Sequence, residues 1–372
     1  MRILVLAKRQ YTNQDLIDNR YGRLYELPKE LARLGHLVTG FCLSYRLRKE
    51  GHLHGPKVNG ELVDWYSVNV GKLILPGIRT YLNSLHSLCT KFIPDVILAS
   101  SDALHIVHGV HIARKFNIPC VVDLYDNYES FALTKMPGLL SNFKRSIGQA
   151  TGVICVSNTL KDYVQKQYNP LGMIKVLPNG IPAEHFYPMN RFRCRAEFGL
   201  PVNAKIIGTA GAIGESRGID VLFRAAERLI ADDSSIHLAL AGPMESGTVL
   251  PQGPNIHYLG KLEYKKVPKL FNSLDVGIIC NKESPFGRYC FPQKAYEMLA
   301  CKLPIVAANV GSMAELLTNY PGCCLYDQND YRSLKKVVKR QLLSPIIPDI
   351  EIQVWAKLAH NLEIFLQNIN IK

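Results

Sequence analysis

The chain has 372 residues, and its 44 lysines and arginines against 31 aspartates and glutamates give a formal net charge of +13. This length, with 47% hydrophobic residues, suits two globular domains and argues against a disordered chain. No apolar run reaches the ~18 residues of a membrane-spanning helix, and the apolar start is typical of a strand rather than of a signal peptide. The positive charge implies an anionic partner, and a nucleic acid, a sugar nucleotide or an acidic membrane would each satisfy it.

The first half of the chain alternates short apolar strands with amphipathic helices. Strand–helix–strand cycles favour a parallel sheet whose ligands bind at the carboxyl ends of the strands. The expected strands are residues 3–7, 37–43, 95–100, 120–124, 153–157 and 174–177, and the expected helices are residues 24–34, 78–92, 103–116 and 158–167.

Several features of this half stand where ligands bind in such sheets. Gly22 lies in the loop before the first helix, and a phosphate contact or an ordinary loop glycine both explain it. Asp123, Asp126 and Glu129 are expected to lie close together at the carboxyl end of the strand 120–124. Residues 45–57 form a basic loop, for which a solvated surface and a contact with an anionic acceptor or membrane remain open. For the amphipathic helix 78–92, packing on the sheet is favoured over insertion into a bilayer interface.

Cysteine and histidine spacing gives no indication of a metal. The ten cysteines include no Cys-x-x-Cys pair and no His/Cys cluster at zinc spacing, so we expect a reducing cytoplasm and no metal site. His105, His108 and His111 are spaced by three residues, unlike the i, i+4 pair of a metal site, and we interpret them as structural.

A Pro-rich polar stretch without strand periodicity follows Asn179-Gly180 and marks a domain boundary. We expect an N-terminal domain at residues 1–180, a C-terminal domain at 181–345, and a final helix within 346–372 that packs back on the N-terminal domain. The expected strands of the second half are residues 205–209, 236–241, 256–259, 276–280, 305–307 and 323–326, and its helices are residues 219–230, 267–274, 331–343 and 351–367. The helix at 331–343 is basic but has no interleaved aromatic platform, so we expect no nucleic-acid partner.

Two stretches of the second half indicate a nucleotide. The loop GTAGAIGESRG at 208–218 has glycine amides and the Arg217 guanidinium, which suit a diphosphate, although a tight strand-to-helix turn is the alternative. An unpaired cation at a helix start opposes the helix dipole, which favours a bound anion near Arg217. Residues 291–316 add two helix starts around a buried strand, with Lys294 and Glu297 on one helix face, an arrangement suited to phosphate and ribose.

In this order the elements resemble a GT-B glycosyltransferase, and the motifs resemble family 4 of the retaining, nucleotide-sugar-dependent enzymes (the glycogen-synthase-type group 1). The matching segments are the loop at Gly22, LARLGHLVT at 31–39, PDVI at 94–97, GVICVSNTL at 152–160, KVLPNGIPAEHFYP at 175–188, SRGIDVL at 216–222 and PQKAYEMLACKLPIVA at 292–307. The resemblance covers nearly the whole chain. It implies an α/β fold of two doubly wound Rossmann-like domains facing a cleft.

The resemblance also implies the roles of individual residues. Arg217 binds the donor diphosphate and stabilises the leaving group, Glu297 accepts hydrogen bonds from the donor ribose, and Asp126 faces the transferred sugar. The implied donor-binding residues are Gly22, Gly211, Arg217, Lys294 and Glu297, and the implied catalytic residues are Asp126 and Arg217. The donor is a UDP-sugar or a GDP-sugar, and neither a metal nor a cofactor is required.

The expected reaction is transfer of a hexose-type sugar, with retention, to a glycan or lipid-linked acceptor in cell-surface polysaccharide or glycolipid synthesis. The expected location is the cytoplasm, either free or peripheral on the inner face of the membrane. Two positions depart from the family pattern, because Ala212 replaces a common Arg and Tyr289 a common Glu. The alternative is therefore a non-catalytic nucleotide-sugar-binding partner. If the chain is an enzyme, Lys294 is expected to substitute for the missing cation at Ala212. A dehydrogenase is disfavoured because no GxGxxG follows the first strand.

Overall fold

The computed structural model of the protein describes residues 1–11, 14–72 and 74–370. The chain divides into two compact units, one formed by Met1–Asn179 with the C-terminal helix and the other by Gly180–Val354. Each unit has its own parallel sheet covered by helices. Within the described ranges, no helix combines the length and apolar character needed to cross a membrane.

The first unit has an eight-stranded main sheet and a small two-stranded one. Its strands are β1 (Arg2–Lys8), β2 (Gln10–Tyr11), β3 (Gln14–Asp15), β4 (Leu37–Ser44), β5 (Gly51–His54), β6 (Asp64–Asn69), β7 (Val96–Ser100), β8 (Cys120–Leu124), β9 (Gly152–Cys155) and β10 (Met173–Val176). Its first six helices are α1 (Arg23–Arg33), α2 (Pro56–Asn59), α3 (Ile74–Phe92), α4 (Ala103–Phe116), α5 (Leu139–Gln149) and α6 (Asn158–Tyr168).

The main sheet of the first unit has the order β10-β9-β8-β7-β1-β4-β6-β5. Every neighbouring pair is parallel except β5 and β6. The strand order reverses at β1, which lies between β4 and β7. Ligands of open α/β sheets bind at such a switch point, outside the carboxyl ends of the strands.

The second unit has a six-stranded sheet in the order of a Rossmann fold. Its helices and strands are α7 (Arg191–Glu197), β11 (Lys205–Ala210), α8 (Ile219–Asp232), β12 (Ile236–Ala241), β13 (Ile256–Tyr258), α9 (Val267–Ser273), β14 (Val276–Ile279), α10 (Lys294–Ala300), β15 (Ile305–Ala308), α11 (Gly311–Leu316), α12 (Pro321–Cys324), β16 (Leu325–Tyr326) and α13 (Tyr331–Leu343). The order is β13-β12-β11-β14-β15-β16, and all pairs are parallel. The switch point therefore lies between β11 and β14.

After the second unit the chain returns to the first through α14 (Trp355–Asn370). This helix packs along α1, and Leu362 and Leu366 are buried in the core that also holds the buried face of α1. Close packing extends to β9, where a Cβ at Gly152 would lie 2.5 Å from Ile369 Cδ1. The C-terminal helix is thus part of the core of the first unit.

Most predicted elements are found, several at the predicted residues, such as α4 and α13. The prediction of a plain loop at 45–57 was wrong, because β5 lies within it and pairs with β6, and α2 begins at its end. The prediction of a strand at Cys323–Cys324 was also wrong. Pro321 begins the short helix α12 there, as proline at a first helical position favours, and only Leu325–Tyr326 is strand. The final helix begins at Trp355, later than predicted.

A buried ion pair joins three distant parts of the first unit. The Arg23 guanidinium at the start of α1 donates to Asp123, the fourth residue of β8, with distances of 2.8 to 3.1 Å. Its Nη1 also donates to the carbonyl oxygens of Leu177 and Pro178, both at 2.9 Å. Both charged side chains are almost fully buried, at 0% and 3% exposed.

We expect Arg23→Ala to lower the free energy of unfolding by about 3–5 kcal/mol, because it leaves the Asp123 carboxylate buried without its partner. Arg2→Ala is the matched control, since Arg2 pairs with Asp95 in the same unit but both side chains are about 40% exposed. That change should cost about 1 kcal/mol or less. Urea unfolding followed by circular dichroism measures both. Equal losses for the two variants would contradict the role given to the buried pair.

Candidate functional site

Three loops of the second unit meet at the switch point of its sheet. They follow β11, β14 and β15, so they lie at the carboxyl ends of neighbouring parallel strands. The loop after β14 is fixed by Asn281, whose Nδ2 donates to the carbonyl oxygen of Gly287 at 2.8 Å. Ser312, in α11, donates to the carbonyl oxygen of Cys290 in the same loop. These bonds hold the long loop before α10 against the start of α11.

Gly211 and Lys294 lie close together at this edge. Gly211 follows β11 and has φ of +122°, a conformation that favours glycine. A Cβ at this position would lie 3.0 Å from the Lys294 ammonium nitrogen, so a side chain there would displace the lysine. The first residue of α10 is thereby brought to the glycine loop, as a diphosphate site requires.

Arg217 brings a second cation to the same place. It ends a 3₁₀ turn at Glu215–Arg217, and its guanidinium lies 4.1 Å from the ring centre of Phe286, in the loop after β14. Burial lowers the pKa of Lys294; Cys280 and Glu297 act in the opposite direction, and the Arg217 charge lowers this pKa further. Two neighbouring cations that repel each other form a site that a bound dianion would stabilise.

Glu297 lies one turn beyond Lys294 on α10 and is 5% exposed. Its Oε1 accepts hydrogen bonds from the Tyr264 hydroxyl at 3.0 Å and from Gln293 Nε2 at 2.9 Å. Burial raises the pKa of Glu297 to about 7, although the two hydrogen bonds and Lys294 act in the opposite direction. Both bonds fall on Oε1, so Oε2 is the oxygen available to a ligand hydroxyl within the described part of the chain.

The helices α10 and α11 are short, with seven and six residues. Neither has a side-chain cap. A short helix has a weak dipole, so the charged side chains Arg217 and Lys294 supply more of the positive potential than the helix starts do. Tyr289 lies in the loop between β14 and α10, at this same edge.

Gly22 and Asp126 lie in the first unit. Gly22 precedes α1 with φ of +77°, and a Cβ there would lie 2.2 Å from Cε1 of Tyr11. Asp126 follows β8, is buried, and accepts a hydrogen bond from the backbone N–H of Asn127 at 2.7 Å. The Arg23–Asp123 pair connects the segments that carry Gly22 and Asp126. Arg23 directly follows Gly22 in the sequence, and Asp123 lies three residues before Asp126.

The acidic residues after β8 do not act as one cluster. Asp123 is committed to Arg23, and Glu129 pairs with Lys144 at 3.0 Å and accepts from Tyr163. The prediction that Asp123 and Asp126 form one acidic group was therefore wrong, because Asp123 is paired with Arg23. Sequence reasoning also missed Arg23, Tyr264 and Phe286, since each is a single residue in no recognisable motif and acquires its contact only through the fold.

The two halves of the chain match family models. Residues 23–185 match the model described as Glycosyltransferase Family 4, and residues 204–343 match the model described as Glycosyl transferases group 1. The chain is 25% identical over 181 residues to D-inositol 3-phosphate glycosyltransferase 2 of Catenulispora acidiphila, covering 43% of this chain and 41% of that protein. It is 27% identical over 169 residues to D-inositol 3-phosphate glycosyltransferase of Mycolicibacterium smegmatis, covering 42% and 37%. The alignments thus span less than half the length of these relatives.

Solved structures resemble the chain over its full length. Sucrose-phosphate synthase from Thermosynechococcus elongatus superposes with a TM-score of 0.74 at 17% identity, covering 100% of this chain and 96% of that chain. The Anabaena protein HepE, solved in complex with UDP-glucose, gives 0.67 at 17% identity, covering 100% and 97%. These likenesses show the expected GT-B fold of two Rossmann-like sheets. The two family models, matched at 23–185 and 204–343, together span most of the chain and show that it belongs to the family 4, group 1 glycosyltransferases.

Proposed function

We propose that the protein transfers a sugar from a UDP-sugar or GDP-sugar to a hydroxyl of a glycan or lipid-linked acceptor, with retention and without a metal. The observation that carries this proposal is the position of Lys294 beside the Gly211 loop that also carries Arg217, with Glu297 one helical turn from Lys294. Two cations suit a diphosphate, and a buried carboxylate suits the hydroxyls of a ribose. The UDP-glucose complex of HepE, a protein of similar fold, supports a nucleotide-sugar donor.

In the proposed reaction the acceptor hydroxyl oxygen forms a bond to the anomeric carbon while the bond from that carbon to the diphosphate oxygen breaks. The hydroxyl proton passes to the departing phosphate, so the products are a glycoside and a nucleoside diphosphate. Negative charge grows on the leaving phosphate, and Arg217 and Lys294 would stabilise it more than they stabilise the bound donor. The roles of Gly22 and Asp126 toward the phosphates and the transferred sugar remain predictions from the family resemblance.

Ala212 and Tyr289 are the reason to consider a binding partner without activity. The position of Lys294 weakens that alternative. Its ammonium lies close to Gly211, the residue next to Ala212, and so supplies a positive charge near the place where the family commonly has Arg. We therefore favour a transferase, and turnover of a donor separates the two functions.

We further propose that one edge of the first unit binds an anionic membrane. Arg48 and Asn69 exchange hydrogen bonds, which join the loop after β4 to the end of β6, and α3 begins five residues later. Leu47 in this loop is 69% exposed, and Leu75 in the first turn of α3 is 81% exposed. Exposed leucines among Arg48 and its exposed neighbour Lys49 suit an acidic lipid surface, with the cations at the headgroups.

For the sugar-donor site, we expect Arg217→Ala to lower kcat for release of free nucleotide from UDP- or GDP-sugars by about 10²–10³-fold. Removal of one hydrogen-bond donor that stabilises a transition state has an effect of this size. Lys336→Ala removes an exposed cation from α13 of the same unit and should leave kcat unchanged. A panel of UDP-glucose, UDP-N-acetylglucosamine and GDP-mannose, with membrane extract as acceptor, provides the measurement. Tight binding of a donor with no turnover by the wild type would favour the binding partner instead.

The raised pKa of Glu297 gives a pH dependence with a definite sign. The protonated carboxyl favours the folded state, so its stabilisation is complete below the ordinary value of 4.5 and is lost as pH rises through about 7. We therefore expect the wild type to lose up to about 3 kcal/mol relative to Glu297→Gln between pH 4.5 and 8. Thermal unfolding of both proteins across this range measures the difference.

Donor binding should change in the opposite direction, because an ionised carboxylate is the stronger acceptor for ribose hydroxyls. The dissociation constant of UDP should fall as pH rises from 6 to 8 in the wild type, and less in Glu297→Gln. Parallel stability curves for the two proteins would show that Glu297 does not titrate in this range.

For the membrane edge, we expect Leu47→Ser with Leu75→Ser to weaken binding to vesicles of phosphatidylcholine and phosphatidylglycerol about tenfold or more, since each buried leucine contributes about 1.5–3 kcal/mol. Leu171→Ser is the control, because Leu171 is 89% exposed in the same unit but lies before β10. Sedimentation with vesicles is the measurement. Equal weakening by the control would show a non-specific effect of apolar surface.

A further inference from the structure

We propose that a pocket in the first unit recognises an anionic group, a phosphate or a carboxylate, on the acceptor. The inference rests on the proposed transferase function and specifies the chemistry of its second substrate. The pocket has a volume of about 540 Å³. It is lined by Lys8, Gln10, Tyr45, Arg46, Asp102, Phe131, Ala132 and Leu133.

The pocket lies at the switch point of the first sheet. Lys8 ends β1, and Asp102 follows β7, the strand beside it. Tyr45 and Arg46 follow β4, on the other side of β1. The carboxyl ends of three adjacent parallel strands thus surround the pocket, which is where a ligand of such a sheet binds.

Two cations line the pocket, and neither is neutralised by contact. Among the described residues, no carboxylate oxygen lies within 4.0 Å of the Lys8 ammonium or of the Arg46 guanidinium. The Lys8 ammonium lies 5.1 Å from the ring centre of Phe131. Burial lowers the pKa of Lys8, while Asp102 and Asp126 raise it from a greater distance. A desolvated ammonium without an ion pair is unfavourable, and a bound anion would relieve that cost.

The Asp102 carboxylate in the pocket wall already accepts hydrogen bonds from neighbouring residues. Oδ2 of Asp102 accepts from the Tyr45 hydroxyl at 3.0 Å. Its Oδ1 accepts from the backbone N–H of His105 at 3.1 Å and lies 2.7 Å from His105 Nδ1. These bonds fix Tyr45 as a wall of the pocket and use the acceptor capacity of Asp102, so that Lys8 and Arg46 remain available to a ligand.

Part of the pocket wall is apolar. Phe131, Ala132 and Leu133 come from the segment after β8, where a 3₁₀ turn spans Ala132–Lys135. An acceptor that fits both parts of the wall carries its anionic group next to an apolar surface, such as the face of a sugar ring or a hydrocarbon chain. Phosphate on a sugar and phosphate on a lipid share this chemistry.

The test measures binding of two phosphate probes, glucose 6-phosphate and decyl phosphate, to the full chain, with glucose and decanol as their neutral counterparts. We expect at least one phosphate probe to bind about tenfold more tightly than its counterpart. Lys8→Gln and Arg46→Gln should each remove most of this preference. A preference for glucose 6-phosphate assigns the pocket to a sugar phosphate, and a preference for decyl phosphate assigns it to a lipid phosphate.

Arg217→Ala distinguishes this pocket from the donor site. It should weaken UDP binding and leave the phosphate preference intact, whereas Lys8→Gln should do the reverse. Loss of the phosphate preference in Arg217→Ala, or its persistence in both Lys8→Gln and Arg46→Gln, would overturn the inference. A wild type that binds the phosphate probes but turns over no donor would contradict the transferase function and leave the anion site standing. Arg46 is exposed, so Arg46→Gln gives a readout even where Lys8→Gln reduces folding.

Discussion

The ion pair between Arg23 and Asp123 is the constraint on which the candidate residues of the first unit depend. One guanidinium joins the first turn of α1, the end of β8 and the backbone at Leu177–Pro178, where the first unit ends. It lies between Gly22 and Asp126 in the fold. Desolvating two charges is costly. The hydrogen bonds from the Arg23 guanidinium to the Asp123 carboxylate and to the backbone carbonyl oxygens offset this cost. The pair acts together with the packed rings of Tyr11, Tyr125 and Tyr128, which contact one another beside it.

The two units use charge in different ways at equivalent places. In the second unit Arg217 lies in the loop after β11 and Lys294 lies beside Gly211 of the same loop, and these two cations are the physical reason to infer an anionic donor. In the first unit Arg23 neutralises the Asp123 charge of β8 inside the fold, and Lys8 at the end of β1 remains, with Arg46, for a ligand. Both sites lie at the carboxyl ends of strands at a switch point, so the same sheet topology presents two different sets of side chains.

Local patterns in the sequence were sufficient for much of the fold. Buried strands such as β1 and β15 contain continuous apolar runs, which are visible in the sequence. Lys294 and Glu297 lie on one short helix, so their spacing is also visible directly. The strand β6 was missed because its inward positions include Ser67 beside Trp65, which weakens the alternation of apolar residues.

Contacts between distant segments could not be predicted from local patterns. Arg23 meets Asp123 across 100 residues, and the pocket at β1 combines residues from Lys8 to Leu133. The periodicity of the sequence does not predict such contacts between distant residues, since these contacts depend on the order of the strands in the sheet. The family resemblance helped at the donor side, where the functional residues are close together in motifs, and gave no information on Lys8, Tyr45 or Asp102.

The packing of α14 on α1 has a consequence for how the chain acquires its structure during synthesis. The first unit is discontinuous, and residues 355–370 complete a core whose other members are translated before residue 180. Domains generally fold in order as they leave the ribosome. Here the second unit is complete while the first still exposes the apolar surface of α1 that α14 covers. The nascent chain therefore passes through a stage with an open hydrophobic groove, when a chaperone has a binding surface that the finished protein lacks.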